Sequence, residues 1–248
     1  MSKQKLTTKR RRLFFDIETS PNIGLFWEAG YKKNIGYENI IKERAIICIC
    51  YKWEDDKEVH SLHWDSQQSD KKLLEKFVET ANQADEIIGH NCDKFDLAWV
   101  RTRCLFHKIP MFPNYITIDT LKISRAKFRF NSNKLDYIGK YLGIGKKIKT
   151  DFHMWKDIIL NNDKIAMGKM IKYCIQDVIL LEKVYKKLSL HIPSRTHFGV
   201  IFGQDRGSCP ECGSDDLGIS KYITLVSGTR KVQYKCNTCC KYHSKTDK

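Results

Sequence analysis

The sequence predicts an α/β domain, a mixed sheet with helices on its faces, followed by a small cysteine-bearing module. Three observations carry that expectation. Three β-rich runs come first, and strands alternating with helical periodicity follow. Of the 248 residues, 42% are apolar and 11% aromatic, enough to bury an ordinary core. Beyond residue 190 the periodicity breaks at a Pro- and Gly-containing stretch, and two Cys-x-x-Cys pairs follow.

Residues 1–11 carry Lys3, Lys5, Lys9, Arg10 and Arg11 and no acid, and read as a basic flexible tail. RLFFDIE at 12–18 is the first strand. AIICICYKW at 45–53 and EVHSLHW at 58–64 are the next two, with Asp55 and Asp56 in the turn between them. Leu73, Leu74, Phe77 and Val78 recur at helical spacing within 70–83. EIIG at 86–89 is a short strand, 93–107 a second helix, and ITID at 116–119 a fifth strand. LDYIGKYLG at 135–143 ends a helix at Gly143, and a long helical region spans 163–189. Three consecutive strands imply an antiparallel meander, and the alternation after them implies parallel additions. One domain over 12–190 accounts for all of this. HIPSRTHFGVIFGQDRGS at 191–208 reads as a linker, and 209–248 as a module too small to fold on its own core.

Lys and Arg number 44 against 29 Asp and Glu, a formal +15. That surplus favours a polyanionic partner, nucleic acid first and an anionic membrane surface second, beside the plain alternative of a solvated basic surface. No run approaches the ~20 apolar residues of a membrane span. The basic start has no apolar run behind it, unlike a secretory signal. The expectation is therefore a soluble, cytoplasmic protein without membrane association. Of the six cysteines outside the two pairs (Cys48, Cys50, Cys92, Cys104, Cys174 and Cys240), five lie in apolar runs, which fits a reducing compartment.

Three elements carry chemistry. Asp16 and Glu18, two apart on a strand, share one face, and two facing carboxylates are costly unless a cation lies between them. They follow Leu13-Phe14-Phe15, which reads as buried. Asp96 sits in the first turns of a helix, where a carboxylate also favours the helix dipole without any further role. Tyr173 and Asp177 are four apart on the long helix and point the same way.

Together, FDIET, HNCDKFD and YCIQD resemble, in order and spacing, the three motifs of the DEDD exonucleases, the RNase H-like proofreading and RNA-processing enzymes. The tyrosine four residues before the last aspartate marks the tyrosine subclass. KLDYIGKYLGIGKK is similar to a segment between the second and third motifs of some members. The pairing with a C-terminal cysteine module resembles phage-encoded exonucleases, which would act in the host cytoplasm. The resemblance spans about 12–190 and implies an RNase H-like mixed five-stranded sheet. It also implies a two-metal 3′–5′ exonuclease in which Asp16, Glu18, Asp96 and Asp177 bind two Mg²⁺ or Mn²⁺ and Asp16 bridges them. Hard oxygen ligands suit those ions, which can activate water and stabilise the leaving oxyanion. Tyr173 would orient the attacking water, since a phenol of ordinary pKa stays protonated at neutral pH.

Residues 120–149 hold nine bases (Lys122, Arg125, Lys127, Arg129, Lys134, Lys140, Lys146, Lys147 and Lys149) and one acid, Asp136, with Phe128 and Phe130 interleaved. Such a segment can neutralise phosphates and stack on unpaired bases, and Arg125, Lys127 and Arg129 are its substrate-binding candidates. Asn91 and Phe95 are placed at the pocket for the terminal nucleotide, and Asp119 is read as structural. Cys209-x-x-Cys212 and Cys236-x-x-Cys239, twenty-three residues apart, read as a four-cysteine zinc ribbon with one structural Zn²⁺. Residues 222–227 and 231–235 form its hairpin around a Gly-Thr turn. A structure-specific endonuclease and an inactive nucleic-acid-binding protein remain as alternatives, and DNA and RNA are both open as substrate.

Overall fold

The computed structural model describes residues 10–28, 30, 34–148 and 150–247. Lys3, Lys5 and Lys9 of the basic tail and Lys149 of the basic segment lie outside these. The described chain falls into two compact units, Arg11–Val184 and a smaller one holding Arg10 and the residues from Tyr185 on.

In the larger unit β1 (Arg12–Thr19) is followed by the short pair β2 (Ile23–Gly24) and β3 (Ile40–Lys42), then by β4 (Ile46–Trp53) and β5 (His60–His63). Helix α1 (Lys71–Ala81), β6 (Glu86–Gly89), α2 (Asp96–His107) and β7 (Thr117–Asp119) come next. Four helices close the unit: α3 (Thr120–Lys127), α4 (Leu135–Tyr141), α5 (Phe152–Asn161) and α6 (Lys164–Leu188), the last of which continues past Val184. The main sheet has five strands in the order β5-β4-β1-β6-β7. The pairs β5–β4 and β4–β1 are antiparallel, whereas β1–β6 and β6–β7 are parallel, the mixed sheet expected from the sequence.

β1 lies at the centre, and its alternation sorts the two faces. Phe15 stacks on Phe77 of α1 at 5.2 Å between ring centres. On the opposite face Asp16 and Glu18 stand beside Cys50 and Cys48 of β4. Helix α6 covers that face: Cys174 Sγ donates to the Asp16 carbonyl at 3.4 Å, and Lys52 of β4 pairs with Glu182 at 2.6 Å. Buried Asp70 accepts from Arg103 at 2.7 and 2.9 Å and from the Ile46 amide, fastening α2 to the start of α1 and to β4. These buried charges are all paired, as burial requires.

The smaller unit contains α7 (Phe198–Ile201) and a three-stranded antiparallel sheet of β8 (Leu217–Thr224), β9 (Arg230–Cys236) and β10 (Tyr242–Thr246), ordered β10-β9-β8. β8 starts five residues before the predicted hairpin strand, and β10 adds a third strand. Residues 191–208, read as a linker, carry structure: Phe198 is buried, its amide donates to Pro210 O at 2.9 Å, and Arg10 lies over its ring at 4.8 Å. Glu211 is buried and pairs with Arg10 and Lys241 at 2.6 and 3.0 Å.

Candidate nuclease active site

Three elements bring the acidic side chains together. β1 presents Asp16 and Glu18 on the face covered by α6, and α6 presents Tyr173 and Asp177 one turn apart. Oxygens of Asp16, Glu18 and Asp177 all lie within 4.8 Å of one another. Asp96, the first residue of α2, is buried beside them, and its Oδ1 accepts from the Ile17 amide at 3.2 Å. It stands outside the 4.8 Å group, although its charge acts on Asp16 and Glu18.

The turn from β6 to α2 is tight. A Cβ on Gly89 would come within 2.3 Å of the Cys92 Cβ, and Asn91 has a φ of 70°. Asp119 Oδ1 accepts from the amides of Asn91, Leu121 and Lys122, so it caps α3 and fixes the turn that leads to Asp96. Asn91 and Phe95 lie on that turn, half-buried, with Phe95 directly before Asp96.

Burial and mutual repulsion set the electrostatics. Burial, with smaller contributions from Cys174 and the neighbouring carboxylates, pushes Asp16 well above the usual carboxylate range. The same causes push Glu18 up to about 8, and burial pushes Asp96 up to about 7. Asp177 is raised by burial against the pull of Lys147. Burial and the Asp177 charge raise the Tyr173 phenol, so it stays protonated more firmly than an ordinary tyrosine.

Lys147 stands apart from the other bases of its segment. Counted among nine phosphate-binding bases, it turns inward. Its ammonium lies 2.5 Å from Asp177 Oδ2, 3.4 Å from the Tyr173 hydroxyl and 5.4 Å from the Tyr173 ring centre. Burial opposes its charge, but Asp16 and Asp177 hold it charged well above the usual lysine range. No spacing rule separates an inward lysine from its exposed neighbours in a run such as Gly145-Lys146-Lys147. The thiols of Cys48, Cys50 and Cys174 also line the buried side of this face, the first two placed by the β1–β4 register and Cys174 by α6.

The donor set suits hard divalent ions. Three carboxylates converge, and Asp177 Oδ1 is buried without a hydrogen-bond partner among the described residues, an oxygen that a cation would satisfy. Lys147 also opens onto a cleft of about 590 Å³ shared with His90, Arg125 and Lys134. Arg125 is thus brought to the site. Lys127 and Arg129 are exposed outside that lining. Phe128 and Phe130 stack at 5.4 Å, and Tyr137 and Tyr141 extend the same ring cluster.

In the smaller unit the thiols of Cys209, Cys212, Cys236 and Cys239 all lie within 4.8 Å of one another, and Cys240 stands outside. Cys209 and Cys239, and Cys212 and Cys236, approach to 3.6 Å. Burial works against the Cys236 thiolate, but the Cys239 and Thr238 amides bring its pKa down to about 7. Soft thiolates in a closed set of four suit a tetrahedral ion.

The family model RNase_H_2, of the RNase_H superfamily, matches residues 13–189, well over half of the chain. The chain belongs to the RNase_H superfamily. Among solved structures, this RNase_H superfamily chain is similar to the family B DNA polymerase from the hyperthermophilic archaeon Pyrobaculum calidifontis. The TM-score is 0.58 at 16% identity, over 78% of this chain and 26% of that one. The chain therefore spans about a quarter of the polymerase, and the likeness concerns the fold. No curated protein matches the sequence. Among the described residues no helix is long and apolar enough to cross a membrane.

Proposed function

We propose that this RNase_H superfamily chain is a 3′–5′ exonuclease of the tyrosine DEDD type, acting on unpaired 3′ ends of DNA or RNA. The observation that carries the reading is the convergence of Asp16, Glu18 and Asp177 within 4.8 Å, with Asp96 and Tyr173 at its edge. Asp16, Glu18, Asp96 and Asp177 would hold two Mg²⁺ or Mn²⁺. When bound, such ions polarise the phosphodiester and lower the cost of the leaving oxyanion.

The remaining roles fall to the chain itself. The Tyr173 hydroxyl, kept protonated, orients a water by hydrogen bonding and does not remove its proton. Lys147 neutralises the carboxylates before substrate arrives and faces the scissile phosphate afterwards. Arg125 receives the next phosphate in the shared cleft, and the Phe128, Phe130, Tyr137 and Tyr141 cluster meets unpaired bases. Asn91 and Phe95 flank the terminal nucleotide. The four cysteines hold one structural Zn²⁺, and the module they close acts on substrate choice or partner docking. Nuclease domain and zinc module are separate in this scheme, and the phage-type pairing of the two remains part of the proposal.

The test is degradation of matched, 5′-labelled single-stranded DNA and RNA with Mg²⁺, Mn²⁺ or EDTA. Stepwise shortening from the 3′ end of at least one substrate, abolished by EDTA, is expected. Cleavage of a covalently closed circle at the rate of the linear strand would establish endonuclease action instead.

A further inference from the structure

We propose that Cys92, Asp93 and Asp119 form another cation site, apart from the acidic and four-cysteine clusters, that takes a zinc-class ion. The thiol and one oxygen of each carboxylate lie within 4.8 Å of one another, and Cys92 Sγ is 4.0 Å from Asp93 Oδ1. Cys92 and Asp119 are buried, at 0% and 4% exposure. Asp119 Oδ1 is saturated by three amides, yet its Oδ2 is buried without a hydrogen-bond partner among the described residues. A buried carboxylate oxygen without a donor is costly, and a cation removes that cost.

The donors define the ion. One sulfur with two carboxylate oxygens fits Zn²⁺ and its borderline relatives, and a thiolate is a poor ligand for Mg²⁺. Burial raises the Cys92 thiol, so the ion would bind as the thiol proton leaves to solvent. Lys122, whose exposed ammonium sits 2.7 Å from Asp93 Oδ2, is the cation an incoming ion would displace. The consequence is mechanical. The ion would clamp the β6–α2 turn, which carries Asn91 and leads to Asp96, to the β7–α3 junction and its basic helix. This site stands whether or not the chain is a nuclease.

Cadmium reads the site through thiolate absorbance in the full chain, with excess Mg²⁺ occupying the acidic cluster. Two stages are expected, the second about a quarter of the first, for one thiolate against four. Cys92→Ser should remove the second stage alone. Asp93→Asn, at a half-buried position that spares the core, should shift it to about ten-fold higher cadmium or beyond, and Lys122→Met should shift it several-fold lower. A single stage in both wild type and Lys122→Met would overturn the proposal. So would a second stage that persists unchanged in Cys92→Ser and Asp93→Asn.

Discussion

The acidic and the four-cysteine clusters gather their ligand atoms within the same 4.8 Å, on opposite kinds of scaffold. Asp16, Glu18 and Asp177 stand on β1 and α6, among fully buried side chains such as Phe14, Phe15, Val178 and Leu180. Lys147 and the raised pKa values of Asp16 and Glu18 act against their repulsion, so this region is expected to fold without an ion. Cys209, Cys212, Cys236 and Cys239 stand on two turns beside a three-stranded sheet whose own buried apolar side chains come down to Val232. That sheet has little else to close it. The same convergence of ligands makes an ion a matter of chemistry in one region and of folding in the other.

The largest expected effects come from exchanging the two losses. Asp16→Ala or Asp177→Ala should lower hydrolysis at least about a hundredfold, because several kcal/mol of transition-state stabilisation leave with an ion. Asp16→Ala should not lower the melting temperature of the metal-free protein, since it removes a raised, repelled carboxylate, whereas Asp177→Ala should lower it, since it leaves the Lys147 ammonium without its partner. Cys209→Ser with Cys212→Ser, or a strong chelator, should do the reverse. Amide protection should vanish in β8, β9 and β10 and persist in β1, β4 and α6, which hydrogen exchange resolves residue by residue. Unfolding of both regions together on chelation would erase the distinction.

Acidity sharpens the same contrast. Glu18 and Asp96 have folded-state pKa values of about 8 and about 7, above their ordinary 4.5 and 3.8. A raised carboxylate favours the fold while protonated, so its contribution is complete below the unfolded value and lost as pH rises through the folded one. The metal-free larger unit should therefore lose stability between about pH 5 and 8, and Mg²⁺ should restore more of it at the upper end than at the lower. Thermal melts with and without Mg²⁺ measure this. An equal Mg²⁺ effect across the range would mean the carboxylates do not hold the ion.

How much of this was legible beforehand follows from distance along the chain. The order of strands and helices could be read because its signals are local: a β-rich run at 12–18, helical spacing in 70–83, and paired Cys-x-x-Cys spacing. Asp16, Glu18 and Asp177 could be singled out because each belongs to a short motif on one element, and the fold brings their oxygens within 4.8 Å. Lys147 could not, because its partner Asp177 lies thirty residues on and only the tertiary fold brings the two together. α3 and α5 were missed for different reasons: α3 is short and mostly polar, and α5 lies among loops. The structure of 191–208 was hidden because Pro193 and three glycines read as a linker, while Phe198 is held by residues distant in sequence, its amide reaching Pro210 O and Arg10 lying over its ring.

The basic face should give the smallest effect. Neutralising Arg125, Lys127 and Arg129 together should weaken binding and reduce the salt slope by about 0.7 to 0.9 for each phosphate left without its cation. Because Arg125 is the one of these three that lines the Lys147 cleft, its single variant should account for most of the rate loss and the other two only for affinity. Equal shares among the three would make the segment a diffuse surface.

One sulfur atom reports whether Asp16, Glu18, Asp96 and Asp177 hold ions against the scissile phosphate. In a single-stranded oligonucleotide whose last linkage carries a phosphorothioate, Mg²⁺ binds sulfur poorly and Mn²⁺ tolerates it better. Slow removal of the terminal nucleotide with Mg²⁺ is expected for one stereoisomer, with the rate restored by Mn²⁺. Equal rates for sulfur and oxygen in both metals, in a step that EDTA leaves untouched, would contradict it.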